Sequence, residues 1–336
     1  MRYGRRNGKQ RYRCGACGHM FVRHKHSHTL TDFKAFSSSI LGDKSRRQVG
    51  KELSRSRETC AKRFHLFFLH PPTPQDIWEL FPPVFSSLWV LSMDGKWLRR
   101  YGVILIYRNA TDGEVLWWSW ASSESYHALG ADMAQIEQYC QNTLPSGVVS
   151  DWKGSMVGTV SLFFGDVPHQ RCLAHVVRDI ERLLPKYSPI QGTQELRKIG
   201  KDVIFISTQA HKDTWIAWLS CWYVFYGDLL TEKSYRENPM TGKIRWWYTH
   251  TNIRAAYRIL TKDQDHLFIH LNTPHIPKTN NGLEGLNSNL KGKLTDHRGM
   301  KHLQQVSFVF WYLTLQKVKT KAHMKILWDY VRRWIY

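Results

Sequence analysis

Residues Leu88–Trp97, LWVLSMDGKW, form a nearly apolar run broken by one carboxylate, Asp94. Pro82-Pro83 precedes the run and Gly95 follows the acid, so the segment reads as a short buried strand. A charge at the end of such a strand is costly unless it meets a partner or binds a cation. Two more strand-like runs follow, Tyr101–Tyr107 (YGVILIY) and Glu114–Ala121 (EVLWWSWA), separated by the turn residues Thr111-Asp112-Gly113. The chain downstream must therefore cover three consecutive strands and provide for the acid on the first.

The periodicity then changes. Tyr126–Thr143 reads as a helix, with Leu129, Met133 and Ile136 on one side, and Pro145-Ser146-Gly147 ends it. Val148–Asp151 is a short strand with a second acid at its carboxyl end. Lys153–Phe164 reads as a helix, Val167–Cys172 as a fifth strand and Leu173–Leu184 as another helix. This alternation predicts the α/β class, a mixed sheet with helices on its faces. Residues 84–185 form the first part of that domain. Residues 186–277 read as an α-helical insertion stapled by Trp215, Trp218, Trp222, Trp246 and Trp247, with Glu237–Lys243 as a loop. Residues 278–336 return to the domain and finish in two amphipathic helices. Within Lys278–Met300, Thr279 or Asn280 caps a helix that carries Glu284, Asn287 and Lys291 on one face.

Charge is concentrated at the other end. Lys and Arg number 48 against 27 Asp and Glu, a net of +21. Residues 1–70 hold 17 basic and 4 acidic side chains, net +13, which marks them as the main footprint for a polyanion. Residues 1–28 read as a small, loop-rich basic module. Cys14-x-x-Cys17 has zinc-ligand spacing, and His19, His24, His26 and His28 are available to complete four ligands. Two free thiols in a basic tail are the alternative. Residues 29–70 read as three short helices, Thr31–Leu41, Ser45–Leu53 and Arg57–Leu69, with Ser56 as N-cap of the third. The last two fit a helix-turn-helix with Arg55, Arg57, Lys62 and Arg63 facing DNA. Pro71-Pro72-Thr73-Pro74 reads as a linker. Scattered cysteines, no signal peptide and no run of 18 apolar residues predict a cytoplasmic protein with no membrane partner.

Asp94 and Asp151 at two strand ends, with Glu284 on a late helix, form a candidate triad. Three gathered carboxylates repel one another unless divalent cations lie between them. Mg²⁺ or Mn²⁺ are the hard cations that oxygen ligands select, and two such ions suit phosphodiester transfer. Lys291 and Arg298 are candidate phosphate contacts.

Several segments carry a resemblance. SMDGKW around Asp94, SDWKGSM around Asp151, HQRCLAH around Cys172 and His175, and TNNGLEGLNSNLKGKLTDHRGM around Glu284 stand in the order found in bacterial insertion-sequence transposases of the Mutator-like type, in the variant with a zinc-binding N-terminus. The resemblance implies a ribonuclease-H-like catalytic domain with a helical insertion before the last acid. It also implies an Asp-Asp-Glu triad of Asp94, Asp151 and Glu284 and a Cys-x-x-His pair, here Cys172 and His175, in an active-site-support role; Asn287, on the same helix face as Glu284, is a further candidate for support. The expected function is a DNA transposase with two Mg²⁺ or Mn²⁺ ions per site. It would act in the bacterial nucleoid as a homodimer or larger oligomer on terminal inverted repeats and target DNA. The N-terminus departs from the zinc-type relatives, which show two Cys-x-x-Cys pairs where this chain has one. A catalytically inactive DNA-binding descendant, or a nuclease on the same fold, are the other readings.

Overall fold

The computed structural model describes residues 2–6, 9–22, 30–42, 44–140, 143–297 and 299–334. His24, His26, His28 and Arg298 lie outside the described residues. The chain divides into two compact units, Met1–His70 with Thr320–Tyr336, and Pro71–Lys319. The C-terminal helix Lys321–Val331 thus belongs with the N-terminal segment, where the sequence reading had it close the catalytic portion.

In the first unit, strands β1 (Arg2–Arg6), β2 (Lys9–Arg13) and β3 (Met20–Val22) form an antiparallel sheet in that order, where a loop-rich module was expected. Tyr12 lies opposite Phe21, and their rings stack at 5.9 Å, a pairing that favours strand over loop. Helices α1 (Leu30–Leu41), α2 (Arg46–Glu52) and α3 (Arg57–Leu69) follow the expected boundaries closely. Ser45 and Gln48 make a capping box at α2, and the Ser56 hydroxyl accepts the Thr59 N–H at α3. Phe33, Phe36, Phe64 and Phe67 are buried between the helices, and Trp328 of the C-terminal helix lies 5.5 Å from Phe33.

The second unit is built on a five-stranded mixed sheet of β4 (Val90–Trp97), β5 (Val103–Asn109), β6 (Val115–Ala121), β7 (Gly147–Ser150) and β8 (His169–Arg171). The spatial order is β6-β5-β4-β7-β8, with β4, β5 and β6 antiparallel and β7 and β8 parallel to β4. The Pro-rich segment before it is not only a linker. Thr73 caps a helix, α4 (Pro74–Leu80), which starts on proline as first turns allow. Helices α5 (Tyr126–Cys140) and α6 (Gly154–Phe164) pack on the sheet through Leu129, Met133, Met156 and Val160. A buried carboxylate pins α5. Asp132 accepts hydrogen bonds from Tyr107 Oη, Trp117 Nε1 and Ser119 Oγ on the two strands beneath it. Burial raises its pKa even though all three donors favour the ionised form.

Between β8 and the last acid, the chain forms a second core. Helices α7 (Leu173–Leu183), α8 (Gln191–Asp202), α9 (Gln209–Tyr226), α10 (Thr251–Thr261) and α11 (Ile269–Asn272) enclose Trp215 and Trp222. Both indole N–H groups donate to backbone carbonyls, of Ile199 and Gly192. The insertion is not all helix. Strands β9 (Lys233–Glu237) and β10 (Ile244–Tyr248) form a hairpin around the expected loop. Trp246 and Trp247 lie on it half exposed, and Trp218 is also exposed, so only two of the five tryptophans staple this core. Helices α12 (Asn281–Asp296) and α13 (His302–Gln316) complete the unit. No described helix is long and apolar enough to cross a membrane.

Candidate active site

Asp94 is inside β4 rather than at its end, because β4 continues along β5 to Trp97. The β4–β7 ladder, however, stops at Ser92↔Val149. Continuing the parallel register by two residues brings Asp94 level with Asp151, which follows the last residue of β7. Asp94 is thus uncovered on one flank, and the two acids share the carboxyl edge of adjacent parallel strands, where α/β sheets place their chemistry. Asp94 Oδ1 accepts the Gly95 N–H at 2.8 Å and Oδ2 accepts Asn287 Nδ2 at 2.8 Å. Burial pushes its carboxyl above the ordinary value. His175 opposes this, the charge of Asp151 adds to it, and the Gly95 N–H and Lys153 pull the other way.

A strained turn aims Asp151. Trp152 has φ 68, in the left-handed region, at a cost of roughly 1–2 kcal/mol. Its N–H is taken by Ser150 Oγ and its indole N–H by Asp263 of the insertion, while the ring packs on His169 and His266. Asp151 accepts the Lys153 N–H on Oδ1 and meets the Lys153 ammonium on Oδ2 at 3.0 Å. The same ammonium pairs with Glu124, whose carboxylate is almost wholly buried. Glu124 lies directly over Gly95. A Cβ there would fall 1.7 Å from Glu124 Oε1, so the glycine of SMDGKW makes room for a further acid next to Asp94.

Helix α12 supplies the remaining groups. Asn280, expected as a cap, makes no side-chain cap. Its Nδ2 instead donates to Met93 O in β4, and its backbone N–H to Cys172 Sγ. One turn apart on the same face, Asn287 reaches Asp94 on the sheet and Glu284 reaches α7. Glu284 Oε2 pairs with Arg178 at 2.8 Å, and Oε1 lies 3.5 Å from His175 Nδ1. Burial works against protonation of His175, but the Cys172 sulfur and then Asp94 outweigh it and raise its pKa to about 9. Lys291, exposed on the same face, is near enough to Lys96 of β4 to help burial lower the Lys96 pKa. The two ammonium groups form a cationic rim beside the acids.

The structure brings Asp94, Asp151, Asn287, Glu284, His175 and Cys172 together from four segments. It does not gather the triad's three carboxylates tightly. Among the described residues, the group of three metal-type side chains whose ligand atoms lie within 4.8 Å of one another is Cys172, His175 and Glu284. Around this edge Glu124 Oε1, Glu284 Oε1 and Asn287 Oδ1 are buried acceptors with no hydrogen-bond partner. An excess of unmet oxygens is the environment a hard cation fits.

The N-terminal assignments divide. Arg57 and Lys62 are exposed. Arg55 and Arg63 are not free: both guanidinium groups pair with Asp32, which is fully buried in α1. A buried carboxylate needs a counter-charge, and these arginines supply it. Cys14 and Cys17 lie in the turn between β2 and β3, closed by Cys14 N–H to His19 O at 2.9 Å and Gly18 N–H to Cys14 O at 3.0 Å. Backbone N–H groups of Cys17 and Ala16 hold the Cys14 thiol below its ordinary pKa.

Sequence reasoning missed Glu124, Lys153, Arg178 and Lys96. Lys153 sits two residues after Asp151 and Lys96 two after Asp94, so proximity in sequence was a usable signal for both. Nothing local marks Glu124 or Arg178. No family model and no curated protein matches the chain.

Proposed function

We propose that the protein is a metal-dependent DNA transposase that binds the terminal inverted repeats of an insertion sequence, cuts at their ends and joins the strands to target DNA. The observation that carries this reading is the placement of Asp94 and Asp151 side by side on neighbouring parallel strands, with α12 locked onto Asp94 through Asn287 across 193 residues of sequence. The strand order β6-β5-β4-β7-β8, three antiparallel strands followed by two parallel ones, supports a ribonuclease-H-like fold for the second unit.

Asp94, Asp151 and Glu284 would hold two Mg²⁺ or Mn²⁺ ions, with the unmet oxygens of Asn287 and Glu124 close by. Bound ions would activate the attacking hydroxyl and stabilise the leaving oxygen. The chain's own groups do the rest. Asn287 orients Asp94, the Trp152 turn orients Asp151, and Lys96 and Lys291 draw the phosphate to the acids. Glu284 is paired with Arg178 through Oε2, so metal binding at the aspartates competes with that ion pair. Arg57 and Lys62, on a helix-turn-helix beside the small sheet, hold the repeat, and Cys14 and Cys17 are the candidate thiolate ligands of a structural zinc in a ribbon-like module. A homodimer on the paired ends is the expected assembly.

The test is Mg²⁺-dependent cleavage and strand transfer on a repeat-end duplex by wild type and by Glu284→Gln, with DNA binding measured in parallel. Cleavage falls by orders of magnitude while binding is retained. Near wild-type cleavage by the variant removes Glu284 from the site, and cleavage without joining assigns the chain to the nucleases.

A further inference from the structure

Cys172, His175 and Glu284 form a group that the phosphoryl-transfer reading does not use as a unit. Cys172 is fully buried at the N-terminus of α7, and His175 lies one turn further on. Glu284 comes from α12, more than a hundred residues later. The Cys172 sulfur, an imidazole nitrogen and a carboxylate oxygen lie within 4.8 Å of one another. His175 Nδ1 and Glu284 Oε1 are buried, 3.5 Å apart, and neither has a hydrogen-bond partner. The two atoms face each other as an ion pair held at 3.5 Å, longer than an ordinary charge-assisted hydrogen bond, so the contact leaves room for a closer ligand.

Three further features suit a metal. The donor set of one thiolate, one imidazole and one carboxylate matches a borderline-soft divalent cation and not Mg²⁺, which takes oxygen ligands. The sulfur accepts the Asn280 backbone N–H at 3.2 Å, a hydrogen bond that steadies a thiolate ligand from outside the coordination shell. The scaffold is fixed on both sides, because Leu173 N–H donates to Lys278 O at 3.0 Å and ties α7 to the segment leading into α12.

We propose that Cys172, His175 and Glu284 bind one zinc-class divalent cation, with a fourth position left for water. Binding releases the thiol proton to solvent. With Oε1 on this ion and Oε2 paired with Arg178, both oxygens of Glu284 are engaged away from Asp94 and Asp151 in the filled site. The binding itself does not depend on the protein being a transposase.

The experiment titrates Co²⁺ into the full-length protein carrying Cys14→Ser and Cys17→Ser, without Mg²⁺ or DNA, and follows the thiolate-to-cobalt charge-transfer absorption. One equivalent develops the band, and Zn²⁺ displaces it. Adding Cys172→Ser abolishes the band. Adding Glu284→Gln, a change at a partly exposed side chain that leaves the fold intact by circular dichroism, weakens Co²⁺ binding at least tenfold. Absence of the band in the starting protein overturns the proposal. So does a band that survives Cys172→Ser, or an affinity unchanged in Glu284→Gln.

Discussion

The Asn287–Asp94 hydrogen bond makes a sharp prediction for Asn287→Asp. The change is nearly isosteric, but it replaces a donor 2.8 Å from Asp94 Oδ2 with an acceptor of like charge. Losing a hydrogen bond to a charged group costs about 1.5–3 kcal/mol. Two carboxylates about 4 Å apart add up to about 4 kcal/mol of repulsion at the effective dielectric of a partly buried site. A domain of this size loses about 2–4 °C of melting temperature per kcal/mol, so the bond alone accounts for about 3–12 °C. The repulsion is pH-dependent with a definite sign. Crowding raises the pKa of the pair, so the protonated pair is favoured in the folded state. Stability is therefore retained at acid pH and lost as pH rises through the raised value. Melting is followed by near-UV circular dichroism in EDTA at pH 8 and at pH 5, then at pH 8 with Mg²⁺. The deficit is largest in EDTA at pH 8 and shrinks on acidification and with Mg²⁺. Asn287→Leu loses the donor without adding a charge, so its deficit at pH 8 is smaller and shrinks less on acidification than that of Asn287→Asp. A melting temperature for Asn287→Asp within about 1 °C of wild type in EDTA at pH 8 would falsify the engagement of α12 with Asp94.

Three other outcomes follow from other parts of the molecule. Asp32→Ala leaves Arg55 and Arg63 without their shared counter-charge and destabilises the first unit by about 3 kcal/mol, the low end for a broken buried pair because both guanidinium groups keep some solvent contact; an unchanged urea midpoint for that unit contradicts the pairing. His169, buried against Ser150 with its pKa lowered to about 3, stays neutral in the folded state while the unfolded chain takes up a proton below about 6.5, so stability falls by up to about 1.4 kcal/mol per pH unit from there towards pH 3; if His169→Gln shows the same acid slope as wild type in urea titrations, the acid loss has another source. Repeat binding by the full chain weakens linearly with log salt, by about 0.9 log units per phosphate neutralised, and Arg57→Ala with Lys62→Ala makes that slope shallower; a slope unchanged in the double variant moves the contact surface elsewhere.

The strands, the two aspartates and the face of α12 were legible because each is written in local pattern: apolar runs of strand length, turn residues at their ends, and a helical repeat of polar side chains. What the sequence could not give depends on tertiary pairing. Arg55 and Arg63 look like DNA contacts until Asp32, more than twenty residues earlier, is found buried beneath them. Trp246 and Trp247 look like core until their strand pairs into a two-stranded hairpin, which has no second layer to cover them. Glu124 carries no local mark at all. It counts as part of the acidic edge only because Gly95 has no side chain to keep it out.

The hydrogen bond from Leu173 to Lys278 has a consequence for how the molecule assembles. Asn280 meets Met93 across 187 residues of chain, and a contact of such separation is slow to form when the intervening chain is a loose loop. The insertion folds around its own Trp215 and Trp222 core, and once it has done so its entrance and exit are neighbours. More than half of the separation between α12 and β4 then disappears. Loop-closure entropy therefore favours one order: the insertion condenses, its ends clip, and α12 reaches the sheet. Substitutions deep in the tryptophan core, which touch none of the acids, will therefore appear as slow arrival of the acidic edge during refolding.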